Sequence, residues 1–226
     1  MKLSVIIPCY NEADHIERVL DAVRAVDLPM EIIVIDDGST DNVVDVIKRY
    51  DTQGELMLHA AAENAGKGAA IRAGLERASG DVIIIQDADL EYDPQQFHAV
   101  IKPIVDGEAD VVYGSRFAGS ITGMRWQNRL ANKILTLTAN LLYRANITDE
   151  ATCYKAFKAD LVKSLPLKCN RFEFCPEVTA KIRKRGIRIA EVPIRYVGRT
   201  AQQGKKIRWT DGVSALWTLI KYRFVD

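Results

Sequence analysis

Five short apolar runs rich in β-branched residues restrict what the first half of this chain can fold into. Segments with helical spacing of apolar residues separate the runs, so strand and helix alternate. Strands that alternate with helices form a parallel sheet that is covered on both faces. The runs are LSVIIP at 3–8, EIIVID at 31–36, ELMLH at 55–59, VIIIQ at 82–86 and DVVYG at 110–114. Residues 1–115 are therefore predicted to form a doubly wound, mostly parallel α/β sheet flanked by helices.

The second half continues with patterns that can complete the same domain. A long helix with apolar Leu130, Ile134, Leu137 and Leu141 precedes a predicted strand, TCYKAF, and two further helical stretches flank RIAEVPIRY. The chain has 226 residues, 48% of them hydrophobic, which is within the range of one globular domain. We therefore predict a single domain.

Composition narrows the class of protein. No apolar run reaches the 18 residues that a membrane-spanning helix needs, and Met1 leads directly into a strand pattern, so we expect a soluble, cytoplasmic chain. The four cysteines and three histidines are dispersed, which argues against a zinc site or disulfides. Residues 181–226 carry 12 Lys and Arg against 3 Asp and Glu. This basic tail is either a solvated surface or a contact for an anionic partner, and we expect no nucleic acid.

The fourth apolar run ends in a series of acids, VIIIQDADLEYDP at 82–94. If the chain stays extended, Asp87, Asp89 and Glu91 face the same side, because residues two apart in a strand do so. Like charges repel unless a cation lies among them, and oxygen ligands suit Mg²⁺ or Mn²⁺. An Asx-turn with a helix cap is the alternative, and it explains Asp93. We predict a Mg²⁺ or Mn²⁺ site formed by Asp87, Asp89 and Glu91.

Other polar motifs also follow predicted strands, where ligands bind in such sheets. Asn11, in PCYNE, is a candidate helix N-cap. Asp36 and Asp37, in DDGSTD, can accept hydrogen bonds from a nucleotide base or a ribose, and capping of the next helix would explain one of them. The GKG sequence at 66–68 is only a weak phosphate-binding signal, because it is also ordinary turn chemistry.

Taken in order, these motifs resemble those of the family 2 glycosyltransferases of the GT-A fold. The matching segments are SVIIPCYNE, VIDDGSTD, NAGKGAAIRAG, DADLEYDP and YGSR. Further on, FEFCPEVTAKIRKRGIRIAEVPIRYVGRT and GKKIRWTDG resemble the branch of dolichyl-phosphate mannose synthases and bacterial polyprenyl-phosphate glycosyltransferases. The resemblance implies a nucleotide-binding half at 1–115 and an acceptor-binding half, with a basic amphipathic C-terminus, at 116–226.

The resemblance also implies roles for individual residues around a nucleotide sugar lying across the strand ends. Those implied to contact the nucleotide are Pro8, Tyr10, Asn11, Glu12, Asp36 and Lys67. Asp87 and Asp89 would hold a divalent metal on the diphosphate, with Glu91 as a third ligand. The cations implied to face phosphate groups are Arg116, Arg199 and Lys205. The segment DEATCYKAF replaces the D-P-T-S-G-F-R of the mannose synthases, which leaves the sugar open.

The nature of the acceptor decides whether a general base is needed. A phosphate monoester is mostly dianionic at neutral pH and needs no strong base. A hydroxyl acceptor would need one, and Asp149 or Glu150 is the candidate. A turn acid after the sequence NIT is the alternative interpretation of Asp149.

Two basic segments are candidates for acceptor and membrane contacts. Arg125, Arg129 and Lys133 recur every four residues, so they share one helix face, which we predict to lie opposite the apolar stripe. Two interpretations are open: these cations bind the acceptor phosphate, or they are merely solvated. The C-terminal segment interleaves cations with aromatic residues, which is typical of an interfacial anchor, although the aromatic residues could pack in the core instead. Its members are Lys205, Lys206, Arg208, Trp209, Trp217, Lys221, Tyr222, Arg223 and Phe224.

Together with the resemblance, which implies a single displacement and hence inversion, these observations predict an inverting, metal-dependent glycosyltransferase at the cytoplasmic face of a membrane. Its donor would be a nucleotide sugar of the GDP-mannose or UDP-glucose type, and its acceptor a polyprenyl phosphate such as dolichyl or undecaprenyl phosphate. A membrane protein or a second copy could be a partner. The alternatives are a soluble transferase acting on a polysaccharide or glycoprotein hydroxyl, and a non-catalytic nucleotide-sugar-binding subunit. The intact DADLE sequence argues against the last.

Overall fold

The computed structural model describes residues 1–199 and 209–225, and its centre is a mostly parallel sheet. The seven strands run in the order β3-β2-β1-β4-β6-β5-β7. β6 is antiparallel to both of its neighbours, and the other pairs are parallel. The strands are β1 (Leu3–Cys9), β2 (Met30–Asp36), β3 (Leu56–Ala60), β4 (Val82–Ile85), β5 (Val111–Thr122), β6 (Lys155–Lys158) and β7 (Ala190–Val197). The predicted doubly wound, mostly parallel α/β architecture is confirmed.

Helices cover the sheet. They are α1 (Ile16–Arg24), α2 (Val43–Tyr50), α3 (Lys67–Arg77), α4 (Phe97–Val105), α5 (Trp126–Tyr143), α6 (Ala159–Lys163), α7 (Phe174–Lys184) and α8 (Trp209–Phe224). The first four alternate with the strands of residues 1–115, as the periodicity predicts. α5, α7 and α8 pack against one another and form a separate helical layer.

Burial on both faces explains why the central strands are continuous apolar runs. All four residues of β4 are buried, and β1 is buried along almost its whole length. Such strands pair in parallel because the helices that connect them cover both faces of the sheet. The carboxyl ends of β1, β2 and β4 consequently lie at one edge, and this edge carries the polar motifs.

The apolar stripe of α5 does not face the core. Leu130, Ile134, Leu137 and Leu141 are all exposed, with Leu141 exposed to 73%. The residues that α5 buries are Leu135, Thr136, Ala139 and Tyr143. The helix itself is found where its periodicity predicts it, but its larger apolar side chains lie at the surface.

Glu31 clamps the edge of the sheet opposite the polar motifs. Its carboxylate accepts hydrogen bonds from the Lys2 ammonium at 2.6 Å, the Ser4 hydroxyl at 2.5 Å, and the backbone N–H groups of Ser79 and Gly80 at 2.5 and 3.1 Å. Burial alone would raise the pKa of Glu31, but these hydrogen bonds outweigh it and lower the pKa to about 2. The clamp joins β1, β2 and the turn before β4.

Replacing Glu31 by glutamine should therefore lower stability in a pH-dependent way. A depressed folded-state pKa contributes stability above the unfolded value, which is lost as the pH falls through the folded value. We expect Glu31→Gln to lower the free energy of unfolding by about 1–3 kcal/mol at pH 7. Urea titrations should show this difference shrinking as the pH falls from about 4.5 toward 2. An equal effect of Glu17→Gln, an exposed acid on α1, would contradict the clamp.

Candidate active site

Asn11 ties together the loops that follow β1 and β2. Its side-chain oxygen accepts hydrogen bonds from the backbone N–H groups of Thr40 at 2.8 Å and Asp41 at 3.3 Å. The backbone N–H of Asn11 donates to the Ser39 hydroxyl at 2.8 Å. Its backbone is left-handed, with φ of 50°. The predicted N-cap role of Asn11 is wrong, because α1 begins only at Ile16 and the side chain reaches the other loop. The two loops form one wall of the site.

The two other residues expected in this wall lie beside Asn11. Pro8 is half-buried near the end of β1, opposite Ile35 of β2. Tyr10 follows in the loop and is also half-buried. The fold thus brings Pro8, Tyr10 and Asn11 to the same edge of the sheet, and their contact with a nucleotide stays a prediction.

Asp36 and Asp37 are buried, and each stabilises a turn. The carboxylate of Asp36 accepts hydrogen bonds from the backbone N–H of Ser39 at 3.3 Å and from its hydroxyl. That of Asp37 accepts from the N–H groups of Ala65 at 2.9 Å and Gly66 at 2.8 Å. Two structural roles therefore account for two adjacent acids, and sequence reasoning missed the second. Contact between Asp36 and a nucleotide base stays a prediction.

Gly38 lets the loop after β2 approach the segment that leads into α3. Its φ is 67°, and a Cβ atom there would lie 2.4 Å from the carbonyl carbon of Glu63 and 2.6 Å from the nitrogen of Asn64. No other residue fits this position, since real Cβ atoms do not approach backbone so closely. The close packing places Lys67, the first residue of α3, at the edge of the site.

Lys67 and Asp87 form an ion pair at the centre of the site. The ammonium group of Lys67 donates a short hydrogen bond to the carboxylate of Asp87, and it lies 3.6 Å from the sulfur of Cys153. Both charged side chains are mostly buried, with 22% and 18% exposed. Two residues that are 20 positions apart, each a sequence candidate, are thus in direct contact.

Arg199 connects two other sequence candidates, Glu12 and Asp89. One of its terminal nitrogens donates to Asp89 Oδ2 at 2.7 Å, and the two together bind both oxygens of Glu12 at 3.0 and 3.2 Å. Its Nε–H is buried and has no hydrogen-bond partner within the described residues. The guanidinium of Arg199 therefore bridges the ends of β1 and β4, and its Nε–H group forms no hydrogen bond to the described residues.

Glu91 forms its hydrogen bonds with residues at the end of β7 instead of grouping with Asp87 and Asp89. Its Oε2 accepts a hydrogen bond from the Tyr196 hydroxyl at 2.6 Å, and its Oε1 accepts from the backbone N–H of Arg199 at 2.7 Å. The backbone of Val197 also donates to the Glu91 carbonyl at 3.0 Å. Sequence reasoning missed Tyr196; the alternation in RIAEVPIRY, which buries Ile194 and Tyr196 on one face, could have indicated it.

The acids after β4 do not follow an extended chain. β4 ends at Ile85, and Leu90 is left-handed, with φ of 55°, so the backbone turns between Asp89 and Glu91. The expectation of an extended segment is wrong, because the chain leaves the strand after Ile85 and turns at Leu90 before it reaches Glu91. Within residues 1–199 and 209–225, no three His, Cys, Asp or Glu side chains are grouped so that they could hold a metal ion.

The donor chemistry of Asp87 and Asp89 nevertheless suits Mg²⁺ or Mn²⁺. The pKa of Asp89 is raised to about 7, first by burial and then by the charges of Asp87 and Glu91, and Arg199 offsets only part of this. Four carboxylates, those of Glu12, Asp87, Asp89 and Glu91, contact only two cations of the site, Lys67 and Arg199, among the described residues, so negative charge is in excess. Mg²⁺ commonly binds proteins through one or two carboxylates and takes its other ligands from water and substrate phosphates. Two carboxylates with excess negative charge fit that pattern.

Arg116 and Asp149 form a buried, bidentate ion pair. Nε and one terminal nitrogen of Arg116 donate to the two carboxylate oxygens of Asp149 at 2.7 and 2.8 Å, and the backbone N–H of Arg116 adds a third bond at 2.9 Å. The carboxylate is fully buried. Glu191 holds the backbone of the Asp149 turn by accepting from its N–H at 3.0 Å. Asp149 thus fixes the direction of Arg116, which also lies over the ring of Tyr196.

Glu150, the other candidate base, is also fully buried. One of its oxygens accepts a hydrogen bond from Thr179 at 3.2 Å, and the other has no partner within the described residues. Burial raises its pKa, although the charge of Lys155 opposes this. Neither Asp149 nor Glu150 presents an oxygen to solvent.

The cations of α5 are exposed beside the apolar stripe. Arg125 is the residue before the helix, and Arg129 and Lys133 follow at intervals of four. Arg129 lies 5.9 Å from the ring centroid of Phe117, which is in β5. At 100° per residue the three cations lie to one side of the stripe rather than opposite it. Their contact with an acceptor phosphate stays a prediction.

The C-terminal aromatic residues divide between surface and core. Trp209, Trp217 and Phe224 are exposed to 82%, 63% and 81%, whereas Tyr222 is buried. Core packing therefore explains only Tyr222. Of the cations predicted in this segment, Lys221 and Arg223 are exposed on α8, and Lys205, Lys206 and Arg208 lie outside the described residues.

The sequence profile of glycosyl transferase family 2 matches residues 4–165. The chain belongs to this family. The match includes the loops after β1, β2 and β4, as well as Lys67, Arg116 and Asp149. The family membership expected from the ordered motifs is therefore confirmed.

Curated relatives of the chain are named as transferases to lipid phosphates or as hexosyltransferases. A dolichol-phosphate mannosyltransferase of Pyrococcus furiosus is 28% identical over 92% of this chain and 61% of its own length. An undecaprenyl-phosphate 4-deoxy-4-formamido-L-arabinose transferase of Pectobacterium carotovorum is 31% identical over 83% and 58%. A low-salt glycan biosynthesis hexosyltransferase, Agl6, of Haloferax volcanii is 26% identical over 99% and 53%. The chain thus spans little more than half the length of these relatives.

A solved structure with the same architecture confirms the GT-A fold. Glucosyl-3-phosphoglycerate synthase from Mycobacterium tuberculosis, in complex with Mn²⁺, UDP and glucosyl-3-phosphoglycerate, matches with a TM-score of 0.76. The match covers 100% of this chain and 81% of that protein, at 20% identity. At this identity the likeness establishes the fold of the family 2 domain.

Proposed function

We propose that this family 2 domain is a metal-dependent, inverting glycosyltransferase that moves a hexose from a nucleotide sugar to a polyprenyl phosphate. The observation that carries the choice of acceptor is the burial of Asp149 in its pair with Arg116. Of the two bases that a hydroxyl acceptor could use, Asp149 is fully bonded and Glu150 is buried. A lipid phosphate needs neither, because it is already an anionic nucleophile.

The names of two relatives support this acceptor, and we propose a donor of the GDP-mannose or UDP-glucose type. The two relatives are named for transfer to dolichol phosphate or undecaprenyl phosphate. A structural neighbour holds UDP with Mn²⁺. We assign Asp87 and Asp89 as the protein ligands of Mg²⁺ or Mn²⁺, and we leave Glu91 in its bonds to Tyr196 and Arg199.

The proposed reaction transfers negative charge from the acceptor phosphate to the leaving nucleoside diphosphate. An oxygen of the acceptor phosphate forms the new bond to the anomeric carbon while the bond from that carbon to the donor diphosphate breaks, so the nucleoside diphosphate leaves with the electron pair. One displacement inverts the anomeric configuration. A divalent metal, when bound, stabilises the negative charge on the leaving diphosphate. We assign Lys67 and Arg199 to the phosphate oxygens of the donor, and Arg116, which Asp149 orients, to the phosphate of the acceptor.

The surface that we assign to the membrane is formed by α5 and α8. Both helices expose apolar side chains with the same spacing of four, four, three and four residues, and the helices are in contact through the hydrogen bond from the Tyr143 hydroxyl to the Leu219 carbonyl at 2.5 Å. We call this surface the α5–α8 face. Its members are Trp126, Leu130, Ile134, Leu137 and Leu141 of α5 and Trp209, Val213, Trp217, Ile220 and Phe224 of α8.

Charge favours a bilayer over a second copy as the occupant of this face. α5 contains no acidic residue, and Arg129 and Lys133 lie along its stripe. Two such faces would repel each other, whereas an anionic bilayer would attract both the cations and the apolar residues. None of the helices in the described residues has both the length and the apolar character that crossing a bilayer requires. We place the domain at the cytoplasmic face, where its four free thiols would stay reduced.

The acceptor can be tested with a pair of lipids that differ only in the phosphate. We expect the protein, with Mn²⁺ and a panel of nucleotide sugars, to glycosylate a polyprenyl phosphate in vesicles and to leave the matching polyprenol unchanged. Chelation of the metal should abolish the transfer. Radiolabel in the lipid phase measures the product, and its anomeric configuration tests inversion. Transfer to the polyprenol or to a soluble sugar would support the hydroxyl alternative, and binding of nucleotide sugar without transfer to any acceptor would support the non-catalytic one.

The membrane assignment can be tested on the α5–α8 face directly. The double change Leu137→Gln, Trp217→Gln should weaken binding to phosphatidylcholine vesicles containing phosphatidylglycerol by at least about tenfold, because full burial of one large apolar side chain is worth about 1.5–3 kcal/mol. Vesicle flotation measures the binding. The control Met57→Gln, Val105→Gln alters two exposed apolar residues outside the face. Equal binding by both variants would contradict the assignment.

A further inference from the structure

A groove beside the α5–α8 face has no part in the site described above. It lies between α8 and the loop that precedes α7, and its volume is about 390 Å³. Its floor includes the buried Tyr222, whose hydroxyl is 3.8 Å from the sulfur of Cys169. Trp217 stands at its rim and is also a member of the α5–α8 face. The groove therefore opens at the border of that face.

The rim of the groove is cationic. Lys168, Arg171 and Lys221 line it and are exposed, against one lining acid, Glu173. Within the part of the chain that the structure describes, neither Arg171 nor Lys221 forms an ion pair. The ammonium of Lys221 lies 5.4 Å from the ring centroid of Tyr222. Two cations with hydrogen-bond donors to spare thus converge on one opening.

The loop that carries Lys168 and Arg171 is held from two sides. The carboxylate of Glu177 accepts hydrogen bonds from the backbone N–H groups of Lys168 and Cys169, both at 2.8 Å. The guanidinium of Arg72, in α3, donates to the side chain of Asn170 at 2.7 Å and to the Cys169 carbonyl. The groove is therefore preformed, and a ligand would not have to order it.

The same loop touches the donor site. The carbonyl of Asn170 accepts a hydrogen bond from the N–H of Ala69 at 2.9 Å, in the first turn of α3. That turn begins with Lys67, which binds Asp87. A single loop would thus connect a group bound in the groove with the donor site. Binding of that group to the membrane would fix the position of the donor site above the bilayer.

We propose that this groove binds the phosphate of an anionic phospholipid in the bilayer on which the α5–α8 face rests. The proposal depends on the membrane assignment made above, and it adds a specific headgroup site to a general apolar contact. Arg171 and Lys221 supply charge and hydrogen bonds to the phosphate. Trp217 lies at the depth of the headgroups, where tryptophan is favoured. Together these contacts would fix the rotational orientation of the domain on the membrane. The two apolar stripes alone would not fix that orientation.

The test reverses the two unpaired cations. The double variant Arg171→Glu, Lys221→Glu is compared with Lys48→Glu, Arg188→Glu, which makes the same charge change at two exposed cations outside the groove. Flotation with phosphatidylcholine vesicles containing 30 mol% phosphatidylglycerol should show binding at least tenfold weaker for the groove variant than for its control. Binding to pure phosphatidylcholine should be equal for the two.

Three outcomes would overturn the proposal. Equal loss in both double variants would mean that only net charge matters. Failure of the wild-type protein to bind vesicles would remove both the groove site and the membrane assignment. Stabilisation of the wild type, but not of the groove variant, by soluble glycerol phosphate, with no difference on vesicles, would make the ligand a free phosphate. Transfer of sugar to a soluble polyprenyl phosphate analogue is measured in parallel, so failure of the proposed reaction is distinguished from failure of the groove site.

Discussion

The contacts of Arg199 with three acids determine the arrangement of the whole donor site. Its guanidinium binds Glu12 and Asp89, and its backbone binds Glu91, so the end of β7 is joined to the ends of β1 and β4. Mostly buried carboxylates cannot remain ionised together without such a partner. Burial, together with the charges of Asp87 and Glu91, raises the pKa of Asp89 to about 7, and Arg199 offsets this rise only in part. A divalent cation bound by Asp89 would therefore compete with Arg199 and release its guanidinium toward phosphate.

This arrangement makes the two halves of the domain dependent on each other. Lys67 and Asp87 belong to residues 1–115, whereas Arg199 follows β7, the last strand of the rest of the chain. Arg116 comes from β5 and is oriented by Asp149. Cations from three separate elements thus converge on the region where diphosphate and acceptor phosphate would meet. Such a convergence supports the proposed anionic acceptor.

Sequence patterns predicted the architecture well because the buried parallel strands need continuous apolar runs. They also placed Lys67, Asp87 and Asp89 at one edge, since the ends of parallel strands meet there. They failed for Glu91, because its partner Tyr196 is 105 residues away and the left-handed backbone at Leu90 leaves no sequence signal in a non-glycine residue. They also misplaced the cations of α5, since periodicity identifies an apolar stripe without showing which face of the helix is buried.

The affinity of the protein for Mn²⁺ in the absence of nucleotide tests the role of Arg199 most directly. If Arg199 competes for Asp89, Arg199→Ala should bind Mn²⁺ more tightly than wild type by about tenfold, the equivalent of 1.4 kcal/mol. Isothermal titration calorimetry measures this without any turnover. Arg195→Ala, which removes an exposed cation of β7, the strand that precedes Arg199, should leave the affinity unchanged. Unchanged or weaker Mn²⁺ binding by Arg199→Ala would contradict the account, because Arg199 would then support the metal site rather than compete for it.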